Sequence, residues 1–240
     1  TFLGNHDMGR SAFIIERTRV NPANQLLPRV KLANTLLYLS RGTPTVYYGD
    51  EVGILGTDSG NDQKARQDLF PTQVEIWKGE KRVAANPVGT GDSFKGTFSH
   101  PIAAHLIKLS ELRKNHPALA NAQMQVRYAK GSVFAFSKRD LTSKREYLVV
   151  INNSSKPKTV SFNTASNSGW NTLLGKPAIS GKNTAITVNI PGLEAVVLQA
   201  KKDIGKVSIK TGKITAKEDF LSGYHRLTAA VQTNDLAVTE

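Results

Sequence analysis

The chain has 240 residues, no cysteine and a formal net charge of +13, from 32 basic and 19 acidic side chains. Without cysteine, neither a disulfide nor thiolate chemistry can form within these residues. No apolar run approaches the roughly 20 residues of a membrane-spanning helix. The like charges form no run of five, so the clustered basic face expected of a nucleic-acid-binding protein is missing. We therefore expect neither a membrane nor a nucleic acid as partner.

The first stretch that carries a signal covers residues 2–10. Two apolar residues lead into a glycine, and the polar residues Asn5, His6 and Asp7 follow. This pattern predicts a buried strand over residues 1–8 that ends in a polar tip. In parallel sheets and barrels, ligands bind at the carboxyl ends of the strands. His6 and Asp7 are therefore candidates for a functional site.

A second strand with a polar tip is expected after a helix. Residues 8–24 are predicted to form a loop, and the helix to begin between Asn24, a candidate N-cap, and Pro28, which a first turn tolerates. Its leucines recur at helical spacing, and Gly42 is expected to end it as a left-handed cap. Residues 45–48 are then predicted to form a strand. Two such units in succession indicate consecutive β/α repeats of a parallel barrel.

These two segments, taken together, resemble a known family. FLGNHD at residues 2–7 and GTPTVYYGDE at residues 42–51 are similar, in sequence and spacing, to the seventh and eighth barrel strands of the α-amylase family, glycoside hydrolase family 13. DQKAR at residues 62–66 fits the loop after the second of these strands. The resemblance continues through a helical segment at residues 102–115 and a β-rich region to about residue 200. It implies a fragment of a (β/α)8 TIM barrel.

The resemblance also implies roles for six residues. Asp7 would be the third carboxylate of the family, which favours the positively charged, flattened sugar of the transition state. His6 would hydrogen-bond the sugar in the central subsite. The remaining substrate-binding candidates would buttress the strand tip, lie near the substrate groove or grip the neighbouring sugar: Asn5, Arg10, and the pair Asp62 and Arg66.

Several of these residues also have a purely structural interpretation. Asp7 can be a turn carboxylate that pairs with Arg10, three residues along the chain. Asp62 and Arg66 can form an ion pair that only organises their loop. The two acidic residues 50–51 are expected to support loop geometry rather than to take part in chemistry.

No metal site is predicted within this chain. Residues 58–62 are rich in Asp, Asn and Gly, as calcium loops are, but the twelfth position counted from Asp58 is Leu69 rather than Glu. An EF-hand is therefore rejected. The histidines show no ligand spacing. The family resemblance allows calcium as a cofactor, with ligands that lie outside this chain.

After residue 54 the predicted structure is a long loop, then a helix, and then a series of short strands. Residues 54–101 are predicted to form a long loop with a short helix over residues 72–77, and the next helix is predicted over residues 102–115. From Met124 the apolar residues alternate with period two, in short runs separated by turn residues, which is typical of an antiparallel β-sandwich. The named strand runs are 133–136, 147–151, 160–162, 185–188 and 195–198.

We predict three regions in a fold that is α/β plus all-β. Residues 1–122 form the carboxyl-terminal part of the catalytic barrel, with its last two β/α units. Residues 123–200 form an antiparallel β-sandwich. Residues 201–240 form the start of a further β module or a tail.

The combined interpretation is a fragment of an α-amylase-type retaining glycoside hydrolase that cleaves α-1,4-glucosidic bonds in starch-like glucans. Retention requires a general acid and a nucleophile. In the family these belong to the fourth and fifth strands, which would precede Thr1, so we expect no hydrolase activity from this chain alone. The alternatives are an α-glucan transglycosylase or α-glucosidase on the same barrel, or a non-catalytic polysaccharide-binding module. By resemblance we expect an extracellular or periplasmic monomer with an α-glucan polysaccharide or oligosaccharide as partner.

Overall fold

The helices lie in the first half of the chain and the strands in the second half. A computed structural model describes residues 1–18, 23–56, 62–87, 99–204, 209–218 and 225–233. Its α-helices are α1 Ser11–Arg17, α2 Leu26–Leu39, α3 Glu75–Lys78, α4 Pro101–Asn115 and α5 Ala118–Asn121. Two 3-10 turns cover Ala23–Gln25 and Gln63–Ala65. Among the helices so described, none is both long and apolar enough to cross a membrane.

The two predicted amino-terminal strands meet, but only at one residue pair. Phe2 and Thr45 form a parallel bridge, and the Thr45 amide donates a hydrogen bond of 2.8 Å to the carbonyl oxygen of Thr1. The expected adjacency is therefore confirmed, whereas the full strands over residues 1–8 and 45–48 are wrong. Parallel pairing is slightly less stable per residue than antiparallel pairing, and among the described residues each segment pairs with one neighbour.

The prediction of a loop over residues 8–24 is also wrong, because α1 lies within it. Ala12 is buried, and Phe13 and Ile15 pack against the core that α2 also enters. A seven-residue helix is too short to form from intrinsic propensity alone. Tertiary packing therefore stabilises α1. Its seven residues are too few for a helical repeat of apolar positions to be recognised in the sequence.

The two long helices are close to the prediction. Helix α2 begins at Leu26 with Gln25, not Asn24, at its N-cap, and Gly42 beyond its end has a φ of +98°. Helix α4 begins one residue before the predicted start, and the Ile102 amide donates a 3.2 Å hydrogen bond to Nδ1 of its N-cap residue, His100. The short helix expected over residues 72–77 is α3.

The second half of the chain forms two antiparallel sheets. The strands are β1 Met124–Lys130, β2 Val133–Arg139, β3 Glu146–Asn152, β4 Lys158–Asn163, β5 Trp170–Leu174, β6 Ala178–Lys182, β7 Ala185–Ile190 and β8 Glu194–Ala200. One sheet has the order β1-β2-β3-β8-β5 and the other β4-β7-β6. The predicted antiparallel sandwich is therefore confirmed, with β1, β5 and β6 as three strands that are not among the named runs.

Strand β3 joins two cores because both of its faces are buried. Tyr147, Val149 and Ile151 belong to a cluster that contains the buried residues of α2 and α4. Leu148 and Val150 point the other way, into a cluster shared with the three-stranded sheet. This alternation follows from the two-residue period of a strand. The sandwich consequently packs on the helices through a continuous apolar core.

A buried lysine adds polar contacts at the same boundary. The Lys138 ammonium donates to the carbonyl oxygens of Ser40 at 3.0 Å and Leu119 at 2.6 Å. Lys138 is 1% exposed, and burial lowers its pKa to about 8. The exact boundaries 122/123 and 200/201 stay predictions.

The tail contains a hairpin. Strand β9 Ile209–Glu218 pairs antiparallel with β10 His225–Thr233. Residues 205–208, 219–224 and 234–240, over which the prediction of a further β module also extends, lie outside the described residues.

Candidate active site

Asp7 and His6 lie on a turn just beyond the Phe2–Thr45 bridge. The Asp7 amide donates a 2.9 Å hydrogen bond to Oδ1 of Asn5, which fixes the turn. Nε2 of His6 lies 3.2 Å from Oδ2 of Asp7, and the two side chains are 67% and 66% exposed. The polar tip predicted from the sequence therefore presents an accessible carboxylate beside an accessible imidazole.

The loop at residues 62–66 reaches this tip from about sixty residues away in the sequence. Nε of Arg66 donates a 2.9 Å hydrogen bond to the carbonyl oxygen of His6. The guanidinium also forms an ion pair with Asp62, and its Nη2 lies 3.7 Å from Oδ1 of Asp7. The structure thus brings Asp62 and Arg66 together with His6 and Asp7 in one exposed group, which we call the Asp7 cluster. The ion-pair interpretation of Asp62 and Arg66 holds as well, because the pair organises the loop that contacts the tip.

Arg10 lies beneath the Asp7 cluster rather than within it. It is 1% exposed, and its Nη1 donates to Oδ1 of Asp50 at 2.7 Å and to the carbonyl oxygen of Tyr48 at 2.9 Å. The structural interpretation of Asp7 expected it to pair with Arg10. In the structure Arg10 forms its ion pair with Asp50 instead. Asp50 consequently supports loop geometry, as predicted. In this structure Arg10 positions the loops and does not face an open groove.

Burial shifts the titration of the groups around Arg10. It raises the pKa of Asp50 to about 6, although the Arg10 guanidinium partly offsets the effect. The guanidinium carbon lies 4.8 Å from the ring centroid of Tyr47 and 5.6 Å from that of Tyr48, within cation–π range. Burial, together with the neighbouring Tyr48, raises the pKa of Tyr47 to about 12. The Tyr47 phenol is therefore neutral at physiological pH.

Two residues of this support were missed by the sequence analysis. Gln67 is fully buried; its Oε1 accepts from Nε of Arg10 at 2.9 Å and its Nε2 donates to Oε2 of Glu80 at 2.8 Å. Oε1 of Glu80 accepts from the Gly56 amide at 2.7 Å, and burial raises the pKa of Glu80. Both residues lie in a long segment without periodicity, so no local pattern could identify them. Only the contacts between distant loops reveal their role.

Within the described ranges, no group of three or more His, Asp or Glu side chains could hold a metal ion. The Asp- and Gly-rich stretch considered for calcium falls largely on residues 57–61, which lie outside the described residues.

Comparison with known proteins settles the family. The model of the alpha amylase catalytic domain matches residues 1–146, and the model of the alpha amylase C-terminal all-beta domain matches residues 126–201. The chain belongs to the α-amylase family. The predicted fold class, a catalytic-barrel fragment followed by a β domain, is confirmed for this family member.

Its relatives are amylases and related glycoside hydrolases. It is 32% identical to an alpha-amylase from Streptomyces lividans over 98% of this chain and 27% of that protein. It is 30% identical to a cyclomaltodextrinase from Thermoanaerobacter pseudethanolicus over 67% of this chain and 22% of that protein. The crystal structure of an alpha-amylase from Geobacillus thermoleovorans complexed with acarbose matches with a TM-score of 0.61 at 22% identity, covering 84% of this chain and 38% of that chain. This α-amylase family chain thus spans about a quarter of the length of the curated relatives it matches.

Proposed function

We propose that this chain supplies the carboxyl-terminal part of an α-amylase-type retaining glycoside hydrolase that cleaves α-1,4-glucosidic bonds in starch-like glucans. The observation that carries the proposal is the Asp7 cluster. An exposed carboxylate stands at the end of a segment that pairs in parallel with the next barrel segment. That is the edge at which barrel enzymes bind their substrates. The acarbose complex of the Geobacillus enzyme supports an oligosaccharide as ligand.

The chemistry assigned to Asp7 is electrostatic. Glycosidic cleavage passes through a sugar ring with oxocarbenium character, and a preorganised negative charge lowers its free energy. The Asp7 carboxylate is oriented by His6 on one oxygen and approached by Arg66 on the other. His6 remains free on its exposed side to hydrogen-bond a sugar hydroxyl. Arg66 and Asp62 would border the adjoining sugar.

Two further carboxyl groups are needed for retention, a general acid and a nucleophile about 5–5.5 Å apart. By family resemblance we assign both to the fourth and fifth barrel strands rather than to residues 1–240. The same resemblance supports an extracellular or periplasmic location, a monomer, and calcium ligands outside this chain. No step of the chemistry derived for Asp7 depends on the metal.

The proposal predicts that the 240-residue chain alone does not hydrolyse starch, because a charge-stabilising carboxylate cannot replace an acid and a nucleophile. The measurement is release of reducing sugar from soluble starch by the purified chain and by its Asp7→Asn variant. We expect no release above a protein-free blank from either. Turnover by the chain that survives Asp7→Asn would contradict both the assignment of Asp7 and the placement of the other two carboxyl groups.

A further inference from the structure

A cavity of about 310 Å³ lies on the sandwich, far along the chain from the Asp7 cluster. Its walls include β5, an edge strand of the five-stranded sheet, and β6, an edge strand of the other sheet. Trp170 of β5 and Ile179 of β6 are half-buried against the sandwich core. We call it the Trp170 cavity. Its volume is at the lower end of the range of small-molecule pockets, about 300–1,000 Å³.

The residues that line the Trp170 cavity are uncharged, and the ammonium of Lys201 lies beside them, 3.9 Å from the position of a Cβ built on Gly169. The lining residues are Asn, Ser, Gly, Trp, Ile and Ala only, in a chain in which 21% of residues are charged. Gly169 and Gly181 place no side chain in the opening. Amide and hydroxyl groups in the lining can donate and accept hydrogen bonds. The lining therefore suits a ligand that is rich in hydroxyl groups.

Polar side chains surround the indole of Trp170. Asn167, Ser180 and Asn183 line the cavity, and none of their side chains hydrogen-bonds to another residue within the part of the chain that the structure describes. Each amide can donate two hydrogen bonds and accept others. Ser168, in contrast, is anchored: its Oγ accepts from the Lys202 amide at 3.2 Å, and its own amide donates to Oγ of Ser166 at 3.1 Å. The loop that carries Asn167 is thereby held in place before any ligand arrives.

An aromatic face beside free amides and a hydroxyl matches the surface of a sugar. A pyranose ring has an apolar C–H face that packs on an aromatic ring and a rim of hydroxyl groups that both donate and accept hydrogen bonds. We propose that the Trp170 cavity binds a neutral oligosaccharide, one sugar ring at a time, at a non-catalytic site separate from the Asp7 cluster. The ring packs on Trp170, and its hydroxyls bond to Asn167 and Asn183.

The test uses Trp170 as its own reporter. The chain has two tryptophans, so Trp77→Phe leaves Trp170 as the single indole. This variant is titrated with maltotriose, a choice that rests on the proposed function, and in parallel with cellotriose. We expect a saturable change in tryptophan emission with maltotriose. Adding Asn167→Ala with Asn183→Gly should weaken the affinity at least tenfold, and glycine keeps the φ of +54° found at residue 183.

Two controls separate this site from folding effects and from the Asp7 cluster. Tyr128→Ala removes another aromatic side chain that is half-buried against the same core but lies outside the cavity. Asp7→Asn alters the candidate active site. Both should leave the affinity at the Trp170 cavity within twofold of the parent value.

Several results would overturn the inference. They are the lack of a saturable response to either sugar, an affinity unchanged by the double asparagine variant, and an affinity lost on Asp7→Asn. Saturation by cellotriose but not by maltotriose would uphold the cavity as a sugar site and count against the starch-like substrate of the proposed function. Failure of the two proposals is therefore distinguishable.

Discussion

His105 shows how one buried side chain connects two helices. Its Nε2 on α4 lies 2.8 Å from the hydroxyl of Thr35 and 3.2 Å from the carbonyl oxygen of Lys31, both on α2. Burial, with the nearby charges of Lys31 and Lys108, lowers its pKa to about 4. The imidazole is therefore neutral in the folded chain at neutral pH, and charging it must work against burial.

This pKa predicts how stability changes with pH. Between pH 6.5, where an unfolded histidine titrates, and about pH 4, the unfolded chain binds more protons at His105 than the folded chain does. The neutral imidazole of His105 therefore contributes fully to the free energy of unfolding above pH 6.5. This contribution falls by about 2–3 kcal/mol as the pH falls towards 4. It is measured by urea unfolding of the unchanged chain and of His105→Gln at pH 7 and at pH 4.5. The loss on acidification should be smaller in the variant by that amount.

The control for this measurement is Ser110→Gln, which changes an exposed residue of the same helix and removes no titratable group. Its loss of stability on acidification should follow that of the unchanged chain. If His105→Gln and the unchanged chain lost equal stability between the two pH values, the account of His105 would be wrong.

Among the helices and strands, the sequence predicts those whose apolar pattern is long or unbroken. In helix α4 the apolar positions recur over 15 residues, and in strand β3 they form a continuous run. Helix α1 and strands β5 and β6 are short and bury few side chains. Short elements at the edges of a sheet are fixed by their neighbours rather than by their own pattern. A sequence without its tertiary partners cannot show them.

A glycine next to β5 shows this dependence on neighbours. Gly175 has a φ of +82°, and a Cβ built there would lie 2.7 Å from the carbonyl oxygen of Ala195 on β8. Gly131, in the turn between β1 and β2, has a φ of +59° but no atom within 4 Å of its built Cβ. Gly131→Ala should lower the free energy of unfolding by about 1–2 kcal/mol from backbone strain alone.

Gly175→Ala should lower the free energy of unfolding by roughly 2–5 kcal/mol, because steric overlap with strand β8 adds to the backbone strain expected for Gly131→Ala. Denaturant unfolding followed by circular dichroism measures both variants against the unchanged chain. Equal losses in the two variants would show that a side chain at residue 175 does not overlap with strand β8.

For the whole molecule, sequence reasoning identified the family and the members of the Asp7 cluster but not what supports them. Asp7, His6, Asp62 and Arg66 lie in short motifs that can be recognised by resemblance. Gln67 and Glu80, which hold Arg10 and the loops below the cluster, carry no motif. Likewise, no pattern shows that Lys138 of the sandwich bonds to the ends of two helices. Such contacts depend on the folded arrangement of distant segments, which local periodicity does not encode.

The role proposed for the Asp7 carboxylate is to stabilise positive charge on a sugar during glycosidic cleavage. The most direct measurement compares kcat for soluble starch between a longer protein that supplies the preceding barrel strands and its Asp7→Asn variant. Glu75→Gln, on an exposed carboxylate of α3, is the matched control. We predict that Asp7→Asn lowers kcat by about 10²–10³-fold, the usual cost of losing one preorganised electrostatic contact, while Glu75→Gln leaves it unchanged. A kcat for Asp7→Asn equal to that of the Glu75→Gln control would contradict this role of Asp7.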